Sequence, residues 1–195
     1  MKQKKIIMTG GSGRFAQIFK KINKKQKIFY PSKKVLDRIK AYFKYGCRYP
    51  SSFSDELADI LAKKHNVSAE SIIITGGSRE GLKITALTYT KDGDEIIAGY
   101  PTYLTMMKYA EHWGASINWV PVDENKSYDL DEIEKRISTK TKLVFLCNPN
   151  NPTGTVLNRK DIVDLREALR EDILLVLDGA YSEYMSQEDH DGALS

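Results

Sequence analysis

Residues 143–154, Leu-Val-Phe-Leu-Cys-Asn-Pro-Asn-Asn-Pro-Thr-Gly, restrict the fold more than any other stretch of the chain. The apolar run 143–146 suits a strand covered on both faces, as in a parallel sheet. Pro149 and Pro152 then fix φ on either side of Asn150 and Asn151 and push each preceding residue toward extended backbone. The two asparagines can bond locally or project an amide outward. A rigid turn at the C-terminal end of a buried parallel strand lies where open α/β sheets bind ligands. Taken alone, the same residues also fit an ordinary strand-to-helix loop.

The rest of the chain repeats the pattern of strand, turn and helix. Strands are expected at 4–8, 27–30, 70–75, 95–98, 117–122, 143–146 and 173–177. Helices are expected from Phe15, over 38–44, from a Ser54 cap to Asn66, from Leu82, from Thr102, over 133–137 behind an Asp129 capping box, and from Asn158. This alternation predicts an α/β fold with a mostly parallel sheet and flanking helices. Several expected strand ends carry polar or aromatic groups. After 72–74 comes Thr75-Gly76-Gly77-Ser78-Arg79-Glu80, where the amides of Gly77 and Ser78 and the Ser78 hydroxyl can converge on a phosphate at a helix N-terminus. A helix N-cap that binds nothing explains this turn equally well. After 95–98 comes Pro101-Thr102-Tyr103, with Tyr103 expected in the first turn of a helix. The last strand ends in Asp178-Gly179-Ala180-Tyr181.

Composition narrows the function classes. With 195 residues and 41% hydrophobic content, the chain can bury a sizeable core. No apolar run reaches the ~20 residues of a membrane helix, and the opening Met-Lys-Gln-Lys-Lys leads into too short an apolar stretch for a secretory signal. The expectation is a cytoplasmic address without membrane association. Cys47 and Cys147, the only two cysteines, form neither a disulfide framework nor a CxxC pair. His65, His112 and His190 lack metal-ligand spacing. The net charge of +4 hides an asymmetry, because residues 1–44 hold fourteen Lys/Arg against the single acid Asp37. A basic arm for nucleic acid is one reading. The basic residues alternate with apolar ones, however, and a solvated face on a folded segment explains that better.

Residues 1–37 order a strand, the glycine turn Gly10 to Gly13, Ala16, a helix and a second strand. They resemble the first βαβ of extended short-chain dehydrogenases of the dehydrorhamnose-reductase type. That resemblance implies NADP as an alternative cofactor, with Lys33 suited to a 2′-phosphate. No Tyr-x-x-x-Lys pair follows, which speaks against a working reductase.

From about Arg48 to Asp191 the motifs Arg48-Tyr49-Pro50, Gly76-Gly77-Ser78, Pro101-Thr102-Tyr103, Asn148-Pro149-Asn150-Asn151-Pro152-Thr153-Gly154 and Asp178-Gly179-Ala180-Tyr181 occur in the order of one family. The chain resembles the large domain of fold-type I pyridoxal-phosphate aminotransferases, most closely the histidinol-phosphate branch. The resemblance implies cofactor-binding roles. Asp178 would pair with the pyridine nitrogen, while Asn151 and Tyr181 would bond the phenolic oxygen. Tyr103 would stack on the ring, and Gly77, Ser78 and Arg79 would border the phosphate. Tyr49 would reach the phosphate of a neighbouring subunit in a homodimer. Small-molecule amino donors and acceptors are the implied substrates.

The chain departs from the family at Gly179 and Arg79, where acidic residues, or at Arg79 also small ones, are more usual. It also contains no lysine in the family's Schiff-base context, so no catalytic residue is assigned. The resulting expectation is a two-part chain: a Rossmann-like βαβ fragment over 1–40 and part of an aminotransferase large domain over 41–195, inactive by itself.

Overall fold

The structure is a computed structural model that describes residues 6–7, 28–29, 31–47 and 53–185. The chain divides into two compact units, Met1–Ser51 and Ser52–Ser195.

In the first unit, β1 (Ile6–Ile7) pairs in parallel with β2 (Ile28–Phe29). The glycine turn and the helix from Phe15 fall outside the described residues. Helix α1 (Lys33–Tyr42) starts five residues earlier than expected, because the Ser32 hydroxyl accepts the Val35 N–H at 3.3 Å and caps it behind Pro31. The expected boundary at residue 40 therefore falls inside a helix.

The second unit is built on a four-stranded sheet. Its strands are β3 (Glu95–Tyr100), β4 (Ser116–Pro121), β5 (Thr141–Cys147) and β6 (Leu174–Asp178). They lie in the order β4-β3-β5-β6, and every pair is parallel. Side chains alternate across β5. Leu143, Phe145 and Cys147 join Ile96 and Ala98 under α3 (Ser78–Tyr89) and α4 (Thr105–His112), in a core with Leu82, Ala86, Met106 and Met107. Val144 and Leu146 join Ile97 on the opposite face, in a core with Ile133 of α5 (Leu130–Lys135) and with Ile162 and Leu165 of α6 (Arg159–Ala168). With both faces covered, residues 143–147 are fully buried, as a continuous apolar run predicts.

Several local expectations need correction. Residues 72–74 form no strand. A short 3₁₀ turn, Ala69–Ser71, capped by Ser68, precedes them, and Ile73 is 77% exposed. Ile72 has extended backbone, but no described strand lies beside it to supply a ladder. Helix α2 (Phe53–His65) begins one residue before Ser54, so Ser54 lies in its first turn rather than at its cap. The helix ends, as expected, at Asn66, whose φ of 54° takes the left-handed form that closes helices. Helix α4 begins at Thr105, leaving Thr102 and Tyr103 in the preceding loop. Asp129 does cap α5, accepting the Glu132 N–H at 2.9 Å. Glu132 does not return the bond, because its carboxylate takes the Arg136 guanidinium at 2.8 Å.

The order of the strands sets the position of any site. The chain leaves β3 for β4 on one side and then returns to form β5 on the other. The point where this direction reverses, between the C-terminal ends of β3 and β5, is where open parallel sheets present a crevice.

Candidate functional site

The Asn-Pro turn after β5 is fastened residue by residue. Asn148, fully buried, donates from Nδ2 to the Leu157 carbonyl at 3.0 Å and accepts the Leu157 N–H at 2.8 Å. Its own N–H donates to the Asp178 carbonyl at 3.0 Å, tying β5 to the end of β6. Asn150, 3% exposed, uses both ends of its amide. Nδ2 donates to the Pro101 carbonyl at 3.0 Å and to Thr153 Oγ1 at 2.8 Å. Oδ1 accepts from Thr102 at 2.9 Å and from the Tyr128 hydroxyl at 2.7 Å. Gly154, at φ 74°, turns its N–H back to the Asn150 carbonyl at 2.8 Å. These bonds leave Asn151 presented at the surface of the turn.

Asn151 Nδ2 donates to the Tyr181 hydroxyl at 3.1 Å. The two side chains expected to share one ligand oxygen are thus adjacent and bonded to each other. They border a cavity of about 430 Å³ together with Pro149, Pro152, Val156 and Tyr184. No lysine lines it.

Asp178 ends β6 in register with Cys147. It is 7% exposed, and among the described residues its side chain accepts only the Ala180 N–H, at 3.2 Å. Burial raises its carboxyl above the usual carboxylate range, only partly opposed by that hydrogen bond. A buried carboxylate with one amide donor and no cation beside it among the described residues is under-compensated. It suits a partner that brings a positively charged N–H.

Gly77 and Ser78 open the twelve-residue α3, with Gly77 at φ 111° as its N-cap. The chain leaves α3 through a short turn into the start of β3, so the N-terminus of α3 points toward the C-terminal edge of the sheet. The N–H groups of Ser78 and Arg79 have no acceptor among the described residues. Thr75 donates its hydroxyl to the Gly77 carbonyl at 2.9 Å, and the Glu80 carboxylate accepts the Gly76 N–H. Arg79 is exposed in the first turn. Tyr103 is partly buried against the core formed with α3 and α4. It precedes α4 rather than starting it because the Thr102 hydroxyl, the expected cap, is committed to Asn150 and lies 2.8 Å from the Tyr128 hydroxyl. Tyr49 lies outside the described residues.

The sequence reading missed Tyr128 and the anchoring role of Asn150. Tyr128 is an aromatic residue in an otherwise polar connection, Asp123-Glu124-Asn125-Lys126-Ser127 before it and Asp129 after it. That contrast was the available signal, since a lone aromatic in such a loop needs a place to be buried. Among the described residues there is no group of three or more His, Cys, Asp or Glu side chains that could hold a metal ion, and no helix is long and apolar enough to cross a membrane.

A histidinol-phosphate aminotransferase of Pelagibacter ubique is 40% identical over 147 residues, 75% of this chain and 41% of that protein. One of Rhodospirillum rubrum is 34% identical over 184 residues, 93% of this chain and 50% of that protein. The crystal structure of histidinol-phosphate aminotransferase from Sinorhizobium meliloti in complex with pyridoxal-5′-phosphate matches with a TM-score of 0.76 at 26% identity. It covers 82% of this chain and 43% of that one. The chain thus spans about half the length, or somewhat less, of the curated relatives it matches. The reductase-like reading of residues 1–37, and the NADP it implied, gain no support from these matches. The family model for aminotransferase class I and II matches residues 39–193. With that match covering most of the chain, this protein belongs to the class I and II aminotransferases.

Proposed function

We propose that this chain forms part of the cofactor cradle of a pyridoxal-phosphate-dependent aminotransferase that moves an amino group between glutamate and a phosphorylated amino alcohol of the histidinol phosphate type. The observation that carries the reading is Asp178, a buried carboxylate at a strand end with no cation to balance it among the described residues. A pyridinium N–H meets that need, and the carboxylate would hold the proton on the ring nitrogen. Pyridoxal phosphate, when bound, supplies an electron sink for the substrate carbanion.

The chain's own residues would bind and orient the group. Asn151 and Tyr181, already 3.1 Å apart, would share the phenolic oxygen. Gly77 and Ser78 would meet the phosphate at the N-terminus of α3, where unbonded amides and the helix dipole favour an anion. Arg79 would add a positive charge beside it, and Tyr103 would cover a ring face. Tyr49 would serve the phosphate of a second subunit in a homodimer. A Rossmann-like fragment followed by a large-domain part stands as the proposed organisation, with the boundary moved from residue 40 to the end of the first compact unit at Ser51.

Residues 1–195 supply no lysine in the context that would attach the cofactor covalently and shuttle the substrate proton. The chain by itself is therefore proposed to bind the cofactor without transaminating. Titrating the chain with pyridoxal phosphate, followed by borohydride reduction and peptide mapping, tests this. Saturable binding that weakens in Asp178→Ala, with no single lysine modified stoichiometrically, is expected. One stoichiometric lysine together with measurable transamination would overturn the claim of inactivity, and equal binding by Asp178→Ala would overturn the role of Asp178.

A further inference from the structure

One side chain, that of Tyr128, is bonded between the ends of β3 and β5, where the strand order reverses. The ladder between β3 and β5 stops at Ala98 and Phe145. Beyond it the next inward-facing amide, that of Cys147, finds no carbonyl on β3 and donates instead to the Tyr128 hydroxyl at 3.1 Å. The ring reaches this position because Gly99 has no side chain. A β-carbon built on Gly99 would lie 2.2 and 2.3 Å from two Tyr128 ring carbons. At the same hydroxyl the loops after β3, β4 and β5 converge: Thr102 Oγ1 at 2.8 Å, Tyr128 itself, and Asn150 Oδ1 at 2.7 Å. All three residues are nearly inaccessible to solvent, at 6%, 6% and 3% exposure.

We propose that Tyr128 is a positioning residue of the cofactor cradle: its hydroxyl locks Asn150 to the ends of β3 and β5, and thereby fixes the direction in which the next residue, Asn151, presents its amide. The inference rests on the cofactor reading above only for what Asn151 addresses. The lock itself is a property of the chain alone.

The chemistry requires a phenol rather than a phenyl ring. Asn150 Oδ1 accepts two hydroxyl protons and the Cys147 N–H needs an acceptor, so a phenylalanine would leave one strand amide without an acceptor and one amide oxygen with a single donor. In a buried cluster such losses are not replaced by water. The turn would then be held less firmly at Asn150, and Asn151 would lose its fixed aim.

The test uses the 195-residue chain with two readouts. In the first, amide hydrogen exchange is followed without ligand in Tyr128→Phe. Exchange at Cys147, Asn150 and Gly154 is expected to accelerate about tenfold or more relative to Ile97 and Val144 in the sheet. Unchanged relative protection would overturn the lock whether or not the cofactor reading holds. In the second, the chain is titrated with pyridoxal phosphate and with the analogue lacking the ring hydroxyl. Tyr128→Phe is expected to weaken pyridoxal phosphate about tenfold while changing the analogue less than twofold. Equal weakening of both would show a general structural effect and overturn the positioning role. If the unsubstituted chain binds neither compound, the cofactor reading fails and the exchange experiment alone decides the lock. Thr102→Val and Thr102→Ser supply the second route if Tyr128→Phe does not fold. Thr102→Val should reproduce the exchange and binding effects and Thr102→Ser should restore them, and identical behaviour of the two would count against the lock.

Discussion

Replacing Gly99 by alanine isolates the packing beneath the Tyr128 lock. The new methyl carbon would stand 2.2 Å from one ring carbon of Tyr128 and 2.3 Å from the next, far inside van der Waals contact. Gly99 lies in β3, between β4 and β5, and is itself buried, so its backbone cannot yield easily. The ring must leave instead. Overpacking a filled core costs roughly 1–3 kcal/mol. Withdrawing the Tyr128 hydroxyl also breaks its bonds to Cys147 N–H and Asn150 Oδ1, each worth about 1 kcal/mol net. The total is roughly 3–5 kcal/mol, a large share of the stability of any domain. Urea unfolding followed by circular dichroism gives the midpoint and slope for the chain, Gly99→Ala, Tyr128→Leu and the double variant. Clash and lock share one partner, so the two losses should not add. Gly99→Ala should cost several-fold less in the Tyr128→Leu background than alone. Additive losses, or a loss under about 1 kcal/mol for Gly99→Ala alone, would refute the claim that the ring occupies the space the glycine leaves.

Further outcomes follow from the same geometry. Asn150→Ala removes both ends of a buried amide and leaves the Pro101 carbonyl and the Tyr128 and Thr102 hydroxyls short of partners, so a loss of about 2–4 kcal/mol in urea unfolding is expected. Burial pushes the Tyr128 phenol up to about 12 from its ordinary 10.0. The folded state therefore holds that proton more tightly than the unfolded chain does. The associated stability is complete below pH 10 and is lost as pH rises toward 12, by roughly 3 kcal/mol. Burial raises the Cys147 thiol to about 11 in the same sense, so the Tyr128 share is the part of the alkaline loss that Tyr128→Phe abolishes. For Asp178, whose carboxyl is raised by burial, the stability contribution is present in acid and is lost as pH rises through the carboxylate range. Asp178→Asn should accordingly raise the urea midpoint of the ligand-free chain at neutral pH while weakening pyridoxal phosphate.

The parts of this fold that could be read from sequence are those that local chemistry decides. The continuous run 143–146 had to be a strand covered on two faces, and it is. Asp129 and Asn158 had to cap helices, and they do so at 2.9 Å each. The failures share one cause, a tertiary partner that local pattern does not reveal. Ile72, Ile73 and Ile74 carry every local mark of a strand, but β structure needs a neighbour to bond. Thr102 looks like an N-cap, yet its hydroxyl is drawn away by Tyr128 and Asn150, 26 and 48 residues distant in sequence. The start of α1 was misplaced for a different reason. Residues 31–37 look like the end of a reductase-like segment, and that likeness hides the Ser32 cap. The candidate site divides in the same way. Asn151, Tyr181 and Asp178 stand out at strand ends, whereas the polar cluster proposed to aim Asn151 is assembled from three separate loops.

Asp178 is proposed to await a protonated ring nitrogen, and nuclear magnetic resonance of pyridoxal phosphate labelled with ¹⁵N in the ring reads that proton directly. Bound to the chain at a pH where the free cofactor's ring nitrogen is deprotonated, the nitrogen should show the protonated shift, and in Asp178→Ala it should return to the deprotonated one. A ring nitrogen that stays deprotonated on the unsubstituted chain, or that stays protonated without Asp178, would contradict the account.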